Sequence, residues 1–151
     1  MKEDKLQVFL EGVQKYFGQI MDPEELVVGT PYLVENTIPS ARDFTGVIAI
    51  SGKSKGIVYF TAPKELLERL LILMGERDTG ETFMIDLVGE VANTIAGNAR
   101  SEFGEEFEIS VPIVLRGAPD EILLPRKDRS FVIPINWKNR NAAIVVCLRK
   151  Q

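Results

Sequence analysis

The stretch Asp86-Leu87-Val88-Gly89-Glu90-Val91-Ala92-Asn93-Thr94-Ile95-Ala96-Gly97-Asn98-Ala99-Arg100 decides how the chain is read. Wound as an α-helix at about 100° per residue, it sorts into two faces. Phe83, Met84, Leu87, Val88, Val91 and Ile95 form an apolar stripe that requires a core beneath it. Asp86, Glu90, Asn93, Gly97 and Arg100 gather on a polar arc, with Gly89 at its edge. Glu90 and Asn93 stand three apart and are therefore neighbours on the helix surface. Gly97 lies one turn beyond Asn93 and removes a side chain from the same arc. A glycine inside a helix costs about 1 kcal/mol relative to alanine, so its presence suggests close approach by another body. Asn98 falls near the centre of the apolar stripe and is expected to be buried, its amide held by backbone.

Composition removes several chemistries around this helix. The 151 residues suit one domain, 1–151, large enough to bury its own core. With no histidine and one cysteine, His-based triads, histidine metal sites, thiolate clusters and intramolecular disulfides are excluded. No Walker-type or dinucleotide-binding glycine motif occurs. Asp86 and Glu90 are two exposed carboxylates with no further ligands in reach, a poor metal site. A net charge of −4 offers no basic stripe for nucleic acid. The chain begins Met1-Lys2-Glu3-Asp4-Lys5 without a signal pattern, and no apolar run approaches membrane-spanning length. A cytoplasmic location with no membrane partner is expected.

Outward from the helix, the rest follows by pattern. Leu6, Phe9, Leu10, Val13, Phe17 and Ile20 recur at helical spacing and predict a helix over 5–20, closed by Gly18 and Asp22-Pro23. Residues 26–35 predict a strand, with Pro31 marking an edge or bulge. A polar turn-like stretch through Pro39-Ser40 leads to a predicted hairpin, 44–51 and 57–61. Its loop, Gly52-Lys53-Ser54-Lys55-Gly56, joins two strands and opens no helix, so it lacks the geometry of a phosphate cradle. Pro63 starts a second helix with Leu66, Leu67, Leu70, Leu71 and Met74 on its apolar face. After Gly104, alternation of Phe107, Ile109, Val111, Ile113 and Leu115 predicts a strand, and 118–129 a polar connection. A hairpin, 131–137 and 142–148, closes the chain across residues 138–141, with Cys147 as a small core or half-buried residue rather than a reactive thiol.

The whole predicts an α+β fold: long helices on a mainly antiparallel sheet, in two helix–three-strand halves. Glu11-Gly12-Val13-Gln14 echoes the Glu-x-x-amide spacing in the first helix, without the Gly-Asn-Ala continuation. Glu11 and Gln14 are expected to be solvated.

Glu90-x-x-Asn93 followed by Gly97-Asn98-Ala99 resembles the signature helix of the CheC/CheX chemotaxis phosphatases, and the CheX branch is the closer match. The resemblance extends upstream through Gly46-Val47-Ile48-Ala49-Ile50-Ser51-Gly52 and Lys55-Gly56-Ile57-Val58-Tyr59-Phe60 to Met74-Gly75. Downstream it covers the order and character of the strands. The resemblance implies a CheX-like fold and hydrolysis of the aspartyl phosphate on a CheY-like receiver domain, with a homodimer as the working form.

By the resemblance, Asn93 would orient the attacking water and Glu90 would pair with the receiver's lysine. Gly97 would let receiver loops lie close, and Asp86 and Arg100 would extend the contact. The protein needs no cofactor of its own on this reading, because the receiver brings the divalent cation. Two alternatives stand beside it: a noncatalytic adaptor docking on a receiver or a motor-switch component, and an assembly domain paired through a strand edge.

Overall fold

The computed structural model describes residues 3–21, 25–35, 42–104, 107–116 and 129–150. In chain order these form α1 (Glu3–Ile20), β1 (Leu26–Val28), β2 (Tyr32–Glu35), β3 (Phe44–Ser51), β4 (Ser54–Ala62) and α2 (Lys64–Leu73). Then come α3 (Glu81–Phe103), β5 (Glu108–Ile109), β6 (Ile113–Arg116), β7 (Arg129–Trp137) and β8 (Arg140–Lys150). The strands make one antiparallel sheet in the order β1-β7-β8-β4-β3-β5, with β2 also on β7 and β6 also on β3. The α+β class read from the sequence is the observed one.

Each half contributes four strands where the sequence predicts three, because backbone chemistry splits one strand in each. Pro31 has no N–H to donate, and the ladder breaks over Gly29-Thr30-Pro31 while the Gly29 N–H reaches the Pro134 carbonyl at 2.8 Å. In the second half the break falls at Ser110-Val111-Pro112. There Ser110 Oγ accepts the Ala49 N–H at 2.9 Å and its own N–H donates to the Ala49 carbonyl at 3.0 Å. The halves also exchange edges. The β3–β4 hairpin is bordered by β5 and β6, the β7–β8 hairpin by β1 and β2, and β4 pairs with β8 across the middle.

The hairpin turns are tighter than expected. Lys138 and Asn139 take φ of 45° and 66°, the left-handed pair of a two-residue turn, so Arg140 and Asn141 already belong to β8. Ser54, Lys55 and Gly56 likewise belong to β4. Pro63 sits one residue earlier than predicted, capping α2 in an extended conformation with ψ 156°. Asp22-Pro23, Pro39-Ser40 and the connection 118–128 lie outside the described residues.

The helices cover one sheet face. Phe9, Val13 and Phe17 of α1, Leu66, Leu67 and Leu70 of α2, and Leu87, Val88, Val91 and Ile95 of α3 meet Ile48, Phe60, Ile133 and Ile144 from the sheet. Val47, Tyr59, Val132, Ala143 and Val145 form a separate cluster on the other face, as strand alternation dictates. Gly46 of β3 sets the height of α3: a Cβ there would overlap the Val88 carbonyl oxygen, so helix backbone rests directly on strand backbone. Cys147 is buried in the sheet.

A charged clasp fixes the start of α3. Glu81 bridges Lys64 at 2.9 Å and Arg116 at 3.1 Å, and both cations lie over the Phe44 ring. Asp43 accepts the Lys64 N–H at 2.8 Å and so caps α2. The hydrogen bond and charge of Lys64, then the charge of Arg116, hold the Glu81 carboxyl below its ordinary value of 4.5. A depressed carboxyl stabilises the fold above its unfolded value and loses that contribution as the pH falls through its folded value. The melting-temperature difference between wild type and Glu81→Gln is therefore expected to shrink as the pH drops below about 4.5. Because the clasp is exposed, added salt should shrink it as well.

Candidate functional site

With its apolar stripe pressed on β3 and β4, α3 turns the opposite face to solvent. Asp86, Glu90 and Asn93 are all exposed there, and Gly97 is half-buried. Neither Glu90 nor Asn93 has a hydrogen-bond or ion-pair partner among the described residues. An acid and an amide one turn apart are thus held on a rigid support with their polar ends unspent. A Cβ added at Gly97 would meet nothing within 4 Å, so no packing among the described residues demands a glycine at this point. Gly89 behaves differently, since its Cβ would press on Val114 at 3.2 Å.

Arg100, expected to serve a partner, already has a task within the chain. It is exposed, and its Nε donates to the Phe107 carbonyl at 3.2 Å, tying the end of α3 to the turn before β5. Asn98 corrects a sequence expectation: it is exposed rather than buried. It lines a groove of about 340 Å³ between the helices with Val8, Glu11, Gly12, Lys15, Ser101 and Glu102. A helical wheel identifies the face on which Asn98 lies, but α1 presents short and polar side chains there and leaves that end of the stripe uncovered. Phe83, also assigned to the stripe, is 37% exposed at the first turn. Glu11 and Gln14 are solvated as expected, with Glu11 accepting from Gln7 at 3.2 Å.

Sequence reasoning missed Tyr16. Its hydroxyl lies buried at the seam between α1 and α3 without a hydrogen-bond partner among the described residues. Burial, and then the nearby Glu90 carboxylate, push its pKa up to about 12. Two helices far apart in sequence create that neighbourhood, so no local signal announces it.

A long helix is thus seated on an antiparallel sheet, with a bare Glu-x-x-Asn pair and a glycine gap on its outer face. The family model for "Chemotaxis phosphatase CheX" matches residues 44–136, well over half of the chain, and the protein belongs to the CheX family. A CheC-like superfamily protein from Shewanella sp. PV-4 is 27% identical, with 99% of each chain covered and a TM-score of 0.79. A chemotactic CheC-like protein from Shewanella oneidensis is 24% identical, covering 99% of this chain and 100% of its own, with a TM-score of 0.82. CheX of the CheX–CheY–BeF3–Mg complex from Borrelia burgdorferi is 16% identical, covering 99% and 100%, with a TM-score of 0.79. Among curated proteins none matches the sequence. No helix among the described residues is long and apolar enough to cross a membrane.

Proposed function

We propose that this protein hydrolyses the aspartyl phosphate of a CheY-like receiver domain, with Asn93 orienting the attacking water and Glu90 pairing with the receiver's lysine. The observation that carries the reading is the bare Glu90–Asn93 pair on the outer face of a helix locked to the sheet. Membership of the chemotaxis phosphatase CheX family supports it, as does the Borrelia relative seen with CheY, BeF3 and Mg.

The chemistry suits an amide. Water attacks phosphorus, the bond from phosphorus to the aspartate oxygen breaks, and the aspartate leaves as a carboxylate while the water's protons remain with phosphate and solvent. The Asn93 carbonyl accepts a hydrogen bond from that water and its amino group donates elsewhere. An amide is too weak a base to remove the proton, so its contribution is position, the role a glutamine plays in GTPases. Glu90 would fix the depth and angle of insertion through a charge-assisted contact with the receiver lysine. The divalent cation belongs to the receiver, and the protein brings no cofactor. A homodimer paired through a strand edge would use a surface away from this helix face. Val111 and Ile113 near one edge are 81% and 58% exposed.

The test is receiver dephosphorylation. A panel of receiver domains is loaded with a small-molecule phosphodonor and the decay followed with and without this protein. Accelerated decay is expected for at least one receiver. Binding without acceleration would replace the phosphatase with an adaptor. Gly97 gives a second check, because Gly97→Gln should fold as well as wild type or better, since the glycine costs about 1 kcal/mol. It should nevertheless bind the receiver at least about tenfold more weakly by placing a side chain in the docked gap, as isothermal titration would show.

A further inference from the structure

Tyr16 is not used by the chemistry above. Its ring lies edge-on to Phe17, with centroids 5.1 Å apart and planes at 84°, and Phe17 in turn packs 5.8 Å from Phe60 of β4. The ring is pinned from the core side, and the hydroxyl is shut from solvent with no hydrogen-bond partner among the described residues. A buried donor without an acceptor lowers stability, so a phenol where phenylalanine would serve the packing calls for a reason. Glu90 of α3 is the charged group whose field reaches the hydroxyl.

We propose that Tyr16 is a positioning residue for Glu90, its hydroxyl donating to the Glu90 carboxylate once a receiver covers the seam between α1 and α3. The inference rests on the phosphatase reading. In the free protein Glu90 is exposed and water supplies its donors. Docking strips that water, and a carboxylate that gives one oxygen to a lysine still has lone pairs to satisfy on the other. The phenol ring is already pinned against Phe17, so the exposed Glu90 side chain makes the movement that closes the bond. Its effect falls on docking, because Glu90 sets the pose and Asn93 the water.

The experiment is a cycle of wild type, Tyr16→Phe, Glu90→Ala and the double variant, read by steady-state hydrolysis of a phosphorylated receiver and by thermal melts. Tyr16→Phe is expected to raise KM about tenfold, the effect of losing a hydrogen bond to a charged group, with kcat within about twofold. In the Glu90→Ala background the same change should shift KM by less than about twofold. Tyr16→Phe should melt at or above the wild-type temperature, because the hydroxyl it removes is unsatisfied in the free protein. An unchanged KM, an undiminished effect without Glu90, or a clearly lower melting temperature would overturn the proposal while leaving the phosphatase reading intact. If wild type accelerates no receiver, the phosphatase reading falls. The same cycle, read as affinity for a beryllofluoride-loaded receiver, then decides on Tyr16 by the same pattern, and absence of any binding overturns both.

Discussion

Asn93→Ala is expected to slow hydrolysis of a phosphorylated receiver by about a hundredfold or more, the scale of losing a reactant's alignment, while affinity changes by only a few fold. The side chain is exposed and held by nothing among the described residues, so truncation leaves no cavity and no orphaned partner there. Alanine is also the better helix former, and the melting temperature should hold or rise slightly. Loss of turnover with fold and docking intact identifies a group needed in the transition state rather than in the ground state. Glu90→Ala should differ in kind, raising KM more than it lowers kcat. Single-turnover decay alongside titration with a beryllofluoride-loaded receiver separates the two.

The second large effect falls on the seat of the helix. Gly46→Ala is expected to destabilise the fold by about 1–3 kcal/mol or more, as overpacking does when nothing can yield. The atom met by the new Cβ is the Val88 carbonyl oxygen, backbone in the middle of α3, not the end of a flexible side chain. Relief requires lifting the helix off β3, which opens the contacts of Leu87, Val88 and Val91 with the sheet. For a chain of this size each kcal/mol lowers the melting temperature by roughly 2–4 °C, so a fall of about 2–12 °C by circular dichroism is expected. Because Glu90 lies just beyond the contact, receiver hydrolysis should also weaken in the fraction that remains folded. A variant that melts like wild type would show that α3 is not seated on Gly46.

Local periodicity carried much of the fold into the sequence. The stripe of α3 and the strand Phe44–Ser51 are legible because burial on one side imposes a repeat of 3.6 or 2 on the residues themselves. The splits at Pro31 and Pro112 are half-legible: the prolines mark where a ladder must break, but not that two short strands lie side by side on β7 and β3. What depends on distant chain was hidden. Asn98 lies on the correct wheel face, yet its exposure is decided by Gly12 and Lys15 of α1. Arg100 reads as a free cation until the Phe107 carbonyl is found beside it. Tyr16 gives no sign of Glu90 in a stretch more than seventy residues away. The Glu90–Asn93 pair was legible because both residues belong to one helix.

The most direct measurement is the structure of this protein bound to a beryllofluoride-loaded receiver. The Asn93 carboxamide is predicted to enter the receiver's active site, within hydrogen-bond reach of a water in line with the beryllium, with Glu90 on the receiver lysine. A receiver seated on a sheet edge, with Asn93 still in solvent, would contradict it.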